Sequence, residues 1–129
     1  MPTDHDAKHA ALLAEIGRQL DAIEAEMKRI GYWQNDPPPE LLARLAAGEI
    51  SSYLDPAITF EQYLQLVFMP AARRRVEEDD LPESSDMGVI AMRQYDYHSY
   101  VEEAQPLLAL LSRLDELVEN LHRPDSQER

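Results

Sequence analysis

Apolar residues return every three or four positions along residues 6–31, at Leu13, Ile16, Leu20, Ile23, Met27 and Ile30, with Glu15, Arg18, Gln19, Asp21 and Lys28 on the opposite side. That spacing is the period of an amphipathic helix with one buried seam. Asp4 or Asp6 can cap its start, and Gly31 can end it in a left-handed conformation. Gly17 interrupts the helix at a cost of about 1 kcal/mol against alanine, which points to a close helix approach there.

A second seam runs through Leu107, Leu111, Leu114, Val118 and Leu121, widened by Leu108, Leu110 and Leu117. Pro106 suits a first helical turn, Arg113, Asp115, Glu116 and Glu119 read as the wet face, and Arg123-Pro124 closes the helix. Both seams are too short to make a stable extended coiled coil, so each is expected to bury its stripe against the other inside a bundle.

Between the seams the pattern is less regular. Tyr32 to Pro39, with three consecutive prolines, excludes a continuing helix and predicts an extended linker. Glu40 to Ala47 reads as two helical turns through Leu41, Leu42 and Leu45, stopped by Gly48, before the turn residues Ser51, Ser52 and Asp55-Pro56. Thr59-Phe60-Glu61-Gln62 is a capping box opening a helix with Phe60, Tyr63, Leu64, Val67 and Phe68 on its apolar side. Pro70 falls inside that helix, where its ring opposes the Leu66 carbonyl; a kink is expected, with the helix going on through Ala71 to Val76. Arg73-Arg74-Arg75 is then expected to pair with Glu77-Glu78-Asp79-Asp80 at three- and four-residue spacing. After a loop at 81–86, Ser85 or Asp86 caps a further helix carrying Val89, Ile90, Met92, Tyr95, Tyr97 and Tyr100.

These elements predict an all-α protein: an antiparallel helical bundle of about four helices, with a proline-rich linker after the first. Its length of 129 residues suits one domain spanning 1–129, with 1–5 and 124–129 expected to fray. Hydrophobic residues at 44% and charged residues at 29% are ordinary globular proportions, which argues against global disorder. The absence of cysteine excludes disulfides, thiolate metal sites and cysteine nucleophiles. Residues 1–6 lack the basic start and apolar run of a secretory signal, and no apolar stretch approaches the roughly 20 residues that span a bilayer, so a cytoplasmic protein with no membrane partner is expected. A formal net charge of -13, spread along the chain, would repel phosphates and disfavours direct nucleic-acid binding.

Trp33 before a proline-rich linker, followed by Phe60-Glu61-Gln62-Tyr63-Leu64-Gln65-Leu66-Val67-Phe68-Met69-Pro70, resembles the YqcC-like proteins, a family of small uncharacterised bacterial helical bundles. Tyr63 stands where that family usually carries tryptophan, and Ala71 where an arginine usually follows the proline. The resemblance implies an association with tRNA pseudouridine modification, through a shared pathway or a protein partner, and gives no residue a chemical role.

Candidate chemistry in the residues themselves is sparse. His5 and His9, four apart beside Asp4 and Asp6, have the spacing of a metal pair, but lie at a terminus without the glutamate of a zincin, and read as solvated cap residues. His98 beside Asp96 or Glu102 could serve a small-molecule-binding or hydrolytic protein through an interhelical cleft, yet no nucleophile–base arrangement accompanies it. The four glycines never cluster into a phosphate loop. Trp33, Asn35 and Asp36 read as a structural corner, with Trp33 lidding the core. Tyr63, Phe68, Pro70, Arg73 and Arg74 combine aromatic anchors, a bent helix and cations, and form the candidate partner-binding surface. The expected function is therefore a non-enzymatic protein-interaction or accessory module without catalytic residues, cofactor or metal, with an unknown protein partner that the family resemblance implies is an RNA-modification enzyme.

Overall fold

The computed structural model describes residues 3–97 and 99–123. All the regular elements among them are helical. Helix α1 (Asp4–Arg29) is opened by Thr3: its hydroxyl accepts the Asp6 N–H, and the Asp6 carboxylate accepts the Thr3 N–H. The cap is thus Thr3 rather than Asp4 or Asp6, in a capping box with Asp6. At the other end Gly31 (φ +82°) donates to the Lys28 carbonyl and Tyr32 to the Met27 carbonyl, the paired bonds of a left-handed helix stop. Gly48 (φ +76°) closes the short helix α2 (Pro39–Ala46) in the same way.

Thr59 and Gln62 form their predicted capping box at the start of α3, which runs as Phe60–Tyr63, a π-helical stretch Leu64–Phe68, and Met69–Glu77. The helix goes on past Pro70, and the disturbance expected as a kink takes the form of a widened turn immediately before it. There the Met69 N–H reaches back five residues to the Leu64 carbonyl. Such a turn re-spaces the carbonyl ladder, giving the ring room. Asp79 (φ 52°) stops α3 in the left-handed conformation usually left to glycine, and its carboxylate oxygens lie 2.8 and 3.0 Å from His9 Nε2.

Helix α4 comprises Met87–Met92 and a π-helical turn Arg93–Tyr97. Helix α5 (Gln105–His122) follows a 3-10 turn at Glu102–Ala104, with Pro106 in its first turn. Arg123 adopts the extended backbone expected before a proline.

Pairing across the bundle is antiparallel. Gln19 Nε2 donates to the Leu110 carbonyl and Arg113 reaches Glu15, so α5 runs against α1. Arg73 meets Asp21 and Glu24 while Asp79 meets His9, so α3 also runs against α1. Ser85 and Gly88 contact Asp115 near one end of α4, and Gln105 reaches the Tyr95 carbonyl near the other, so α4 runs against α5. The two seams meet as expected: Ile16, Leu20, Ile23 and Met27 share one core with Leu107, Leu111, Leu114 and Val118. The short α2 builds a satellite cluster in which Leu41, Ile50 and Ile58 pack against Leu66 and Val67. The fold is an all-α bundle of four longer helices with a fifth, short helix at its side.

Three sequence expectations change. Asp115 is buried rather than on the wet face: it accepts from Ser85 Oγ (2.6 Å), Met87 N–H (3.2 Å) and Gly88 N–H (2.7 Å). It thereby caps α4 from another helix, a task the sequence assigned to Ser85 or Asp86. Close approach occurs at Gly88, where an added Cβ would meet Ser112 Oγ at 2.5 Å and Ser112 Cα at 2.7 Å, whereas Gly17 has open space. The arginine run engages more widely than its own acidic neighbours: Arg73 bridges to α1, and Arg75 donates to the Asp80 carbonyl at 3.0 Å.

Candidate interaction site

The widened turn of α3 brings Phe68 to the edge of the bundle, and the alanines after Pro70 leave space beside it. The result is an apolar groove of about 220 Å³ lined chiefly by Phe68, Ala71, Ala72, Leu81, Pro82 and Val118, with Ile16 and Leu114 at its floor. The stem of Arg75 forms part of the wall, its guanidinium tied to the Asp80 carbonyl on the lip. Along the chain the groove-lining Leu81 and Pro82 are preceded by Glu77, Glu78, Asp79 and Asp80 and followed by Glu83, all exposed.

Of the five candidate partner-binding residues, the groove includes Phe68 alone. Tyr63 sits half-buried between the two clusters, its ring 5.8 Å from that of Tyr53, and burial followed by Tyr53 raises its pKa. Pro70 and Arg74 are exposed outside the lining. Arg73 Nη1 and Nη2 lie 2.9 Å from Asp21 and Glu24. Burial opposes its charge, but the two carboxylates outweigh burial and raise its pKa. Lys28 first, and Arg73 with it, holds the Glu24 carboxyl below its usual range against the opposing effect of burial. Arg73 thus works as an α1–α3 tie. The groove residues Ala71, Ala72, Leu81 and Pro82 escaped sequence reading; a signal was available in the small pair one turn after Phe68 and the apolar pair inside an acidic loop.

The corner at the end of α1 is built differently. Trp33 is half-buried against the main core with Lys28 Nζ 5.3 Å from its ring centre, while Asn35 and Asp36 are exposed. The linker is fastened by Gln65, a buried side chain whose Oε1 accepts the Gln34 N–H at 2.8 Å and whose Nε2 donates to the Gln34 carbonyl at 2.7 Å. Nearby, Tyr95 donates its hydroxyl to Glu61 at 2.6 Å; burial above all, then this carboxylate, raises the tyrosine pKa.

His98 lies outside the described residues, and Asp96 and Glu102 are exposed. Among the described residues no group of three or more His, Asp or Glu is arranged to hold a metal ion, and His9 faces Asp79. No described helix is long and apolar enough to cross a membrane.

Comparison with curated proteins and with solved structures returns no match. A family model does match, over residues 15–117, from within α1 to within α5, and so takes in most of the main core, the linker clamp and the groove lining apart from Val118. The chain belongs to the family whose description reads tRNA pseudouridine synthase C.

Proposed function

We propose that the chain is a YqcC-like, non-enzymatic accessory module that binds a tRNA pseudouridine synthase, with the apolar groove beside Pro70 as its contact surface. The groove is the observation that carries this reading: it is largely apolar, open at the surface and about 220 Å³ in volume. That is below the range typical of small-molecule sites, and its size and lining suit an apolar anchor side chain from a protein.

The literal alternative, that the chain itself isomerises uridine, fits the chemistry less well. Acting on a base in tRNA calls for a surface that holds phosphates and a polar pocket that receives an extruded base. A net charge of -13 opposes the first, and the apolar lining of the groove does not supply the second; the more polar recess at Tyr32, Gln34, Glu61 and Gln62 lies elsewhere, beside carboxylate rather than basic side chains. An acidic protein working beside a tRNA enzyme therefore belongs on the protein side of that complex.

Pseudouridine formation on tRNA, followed with the chain alone, a purified tRNA pseudouridine synthase alone, and both together, tests the proposal. The chain alone should give no product, and its addition should change the rate of the synthase. Turnover by the chain alone would overturn the non-enzymatic reading. An unchanged synthase rate together with no measurable complex would overturn the accessory one.

A further inference from the structure

The lip of the groove is as distinctive as its floor. Glu77 and Glu78 end α3, Asp79 and Asp80 form its left-handed stop, and Leu81 and Pro82 then drop into the groove before the chain emerges at Glu83. Glu83 and Glu119 of α5 share a neighbouring surface recess with His122 and Arg123, and Glu119 is one residue beyond the groove-lining Val118. Exposed carboxylates thus flank the groove-lining Leu81 and Pro82 on both sides along the chain, whose overall charge is already -13. The one cation in the wall, Arg75, is exposed and donates to the Asp80 carbonyl, and the five carboxylates at 77–80 and 83 outnumber it.

We infer that the groove recognises a basic amphipathic segment of its protein partner, which places one apolar side chain between Phe68, Ala71 and Pro82 and sets lysines or arginines against Glu78, Asp80 and Glu83. This rests on the accessory reading and adds the chemistry of the segment recognised. The apolar floor supplies affinity through burial, while the rim steers and selects a basic partner over an acidic one. Exposed rim pairs act mainly on association and its salt dependence, so the two parts are separable by experiment.

The probe is a synthetic amphipathic helical peptide of about 18 residues, with leucines at i, i+3, i+4 and i+7 and lysines elsewhere, titrated against the full chain by fluorescence anisotropy. Two comparison peptides replace the leucines with serine or the lysines with glutamate. The leucine–lysine peptide should bind at least about tenfold more tightly than either, and Ala71→Trp should abolish its advantage over the serine peptide. Should Ala71→Trp fail to fold, the surface pair Glu78→Lys/Glu83→Lys still decides: it should weaken binding about tenfold and flatten the salt dependence. The control pair Asp36→Lys/Glu40→Lys, beyond the far end of α1, should change affinity less than about twofold. Equal binding of the serine peptide, or an equal effect of the control pair, would overturn the inference by reducing the attraction to overall charge. Repeating the rim substitutions with a tRNA pseudouridine synthase separates the two readings. Undiminished binding to the synthase rejects the basic-segment inference alone, whereas peptide binding without synthase binding rejects the accessory function alone.

Discussion

At the scale of single residues, two glycines give opposite expectations. Gly17 lies in mid-helix with nothing near its missing side chain, so Gly17→Ala should stabilise the fold by up to about 1 kcal/mol through helix propensity. Gly88 lies against the Ser112 backbone, so Gly88→Ala must push α4 away from α5 and should cost about 1–3 kcal/mol. Urea denaturation of both variants checks the pair; a Gly88→Ala midpoint that is unchanged or raised would contradict the packing of α4 on α5. Tyr95 gives a pH expectation of definite sign. Burial first, and then the Glu61 carboxylate, favours the neutral phenol in the folded state, so the unfolded chain loses that proton first as pH rises above about 10. Stability should therefore be level with respect to this group below that pH and fall above it, and Tyr95→Phe should remove that part of the alkaline loss in a series of denaturation curves.

At the scale of elements, sequence periodicity located α1 and α5 because a buried stripe on a helix is a local property, repeated every turn. Capping chemistry located the start of α3 for the same reason, since Thr59 and Gln62 satisfy each other within one turn. What stayed hidden depends on contacts between elements. Asp115 looked like a wet-face carboxylate, although it falls four residues after Leu111 and three before Val118, on the seam itself. Its burial follows from the α4 amides it caps, which no local pattern announces. Replacing it with leucine would leave those amides and the Ser85 hydroxyl without their acceptor, and Asp115→Leu should cost about 2–4 kcal/mol in chemical denaturation, with α4 the first segment to lose amide-exchange protection. A cost below about 0.5 kcal/mol would contradict the capping role. Pro70 teaches a related lesson: a proline in helical text signalled a disturbance within a helix that goes on, as it does to Glu77, but only the backbone discloses that the disturbance is a widened turn.

At the scale of the whole molecule, the bundle was legible because two seams of matching period require each other, and the structure joins them in one core. Leu20→Ala and Leu114→Ala should each cost about 2–5 kcal/mol, as expected for buried leucines leaving partly collapsed cavities, and unchanged denaturation midpoints would contradict the shared core. The candidate site was legible only in part. Sequence reading placed the candidate contact surface on the stretch Tyr63 to Arg75 through its aromatics and arginines, because those residue types dominate binding hot spots. In the fold Tyr63 joins two clusters, Arg73 ties α3 to α1, and the open surface belongs to Phe68, two alanines and an apolar pair in an acidic loop. The account's central claim, that this surface docks a tRNA pseudouridine synthase, is tested most directly by calorimetric titration of the chain into the purified synthase, with the parent protein and a folded Ala71→Trp variant side by side. The account predicts saturable binding by the parent and at least about tenfold weaker binding by the variant. Absence of binding by the parent at concentrations up to about 100 μM, or equal binding by the two proteins, would contradict it.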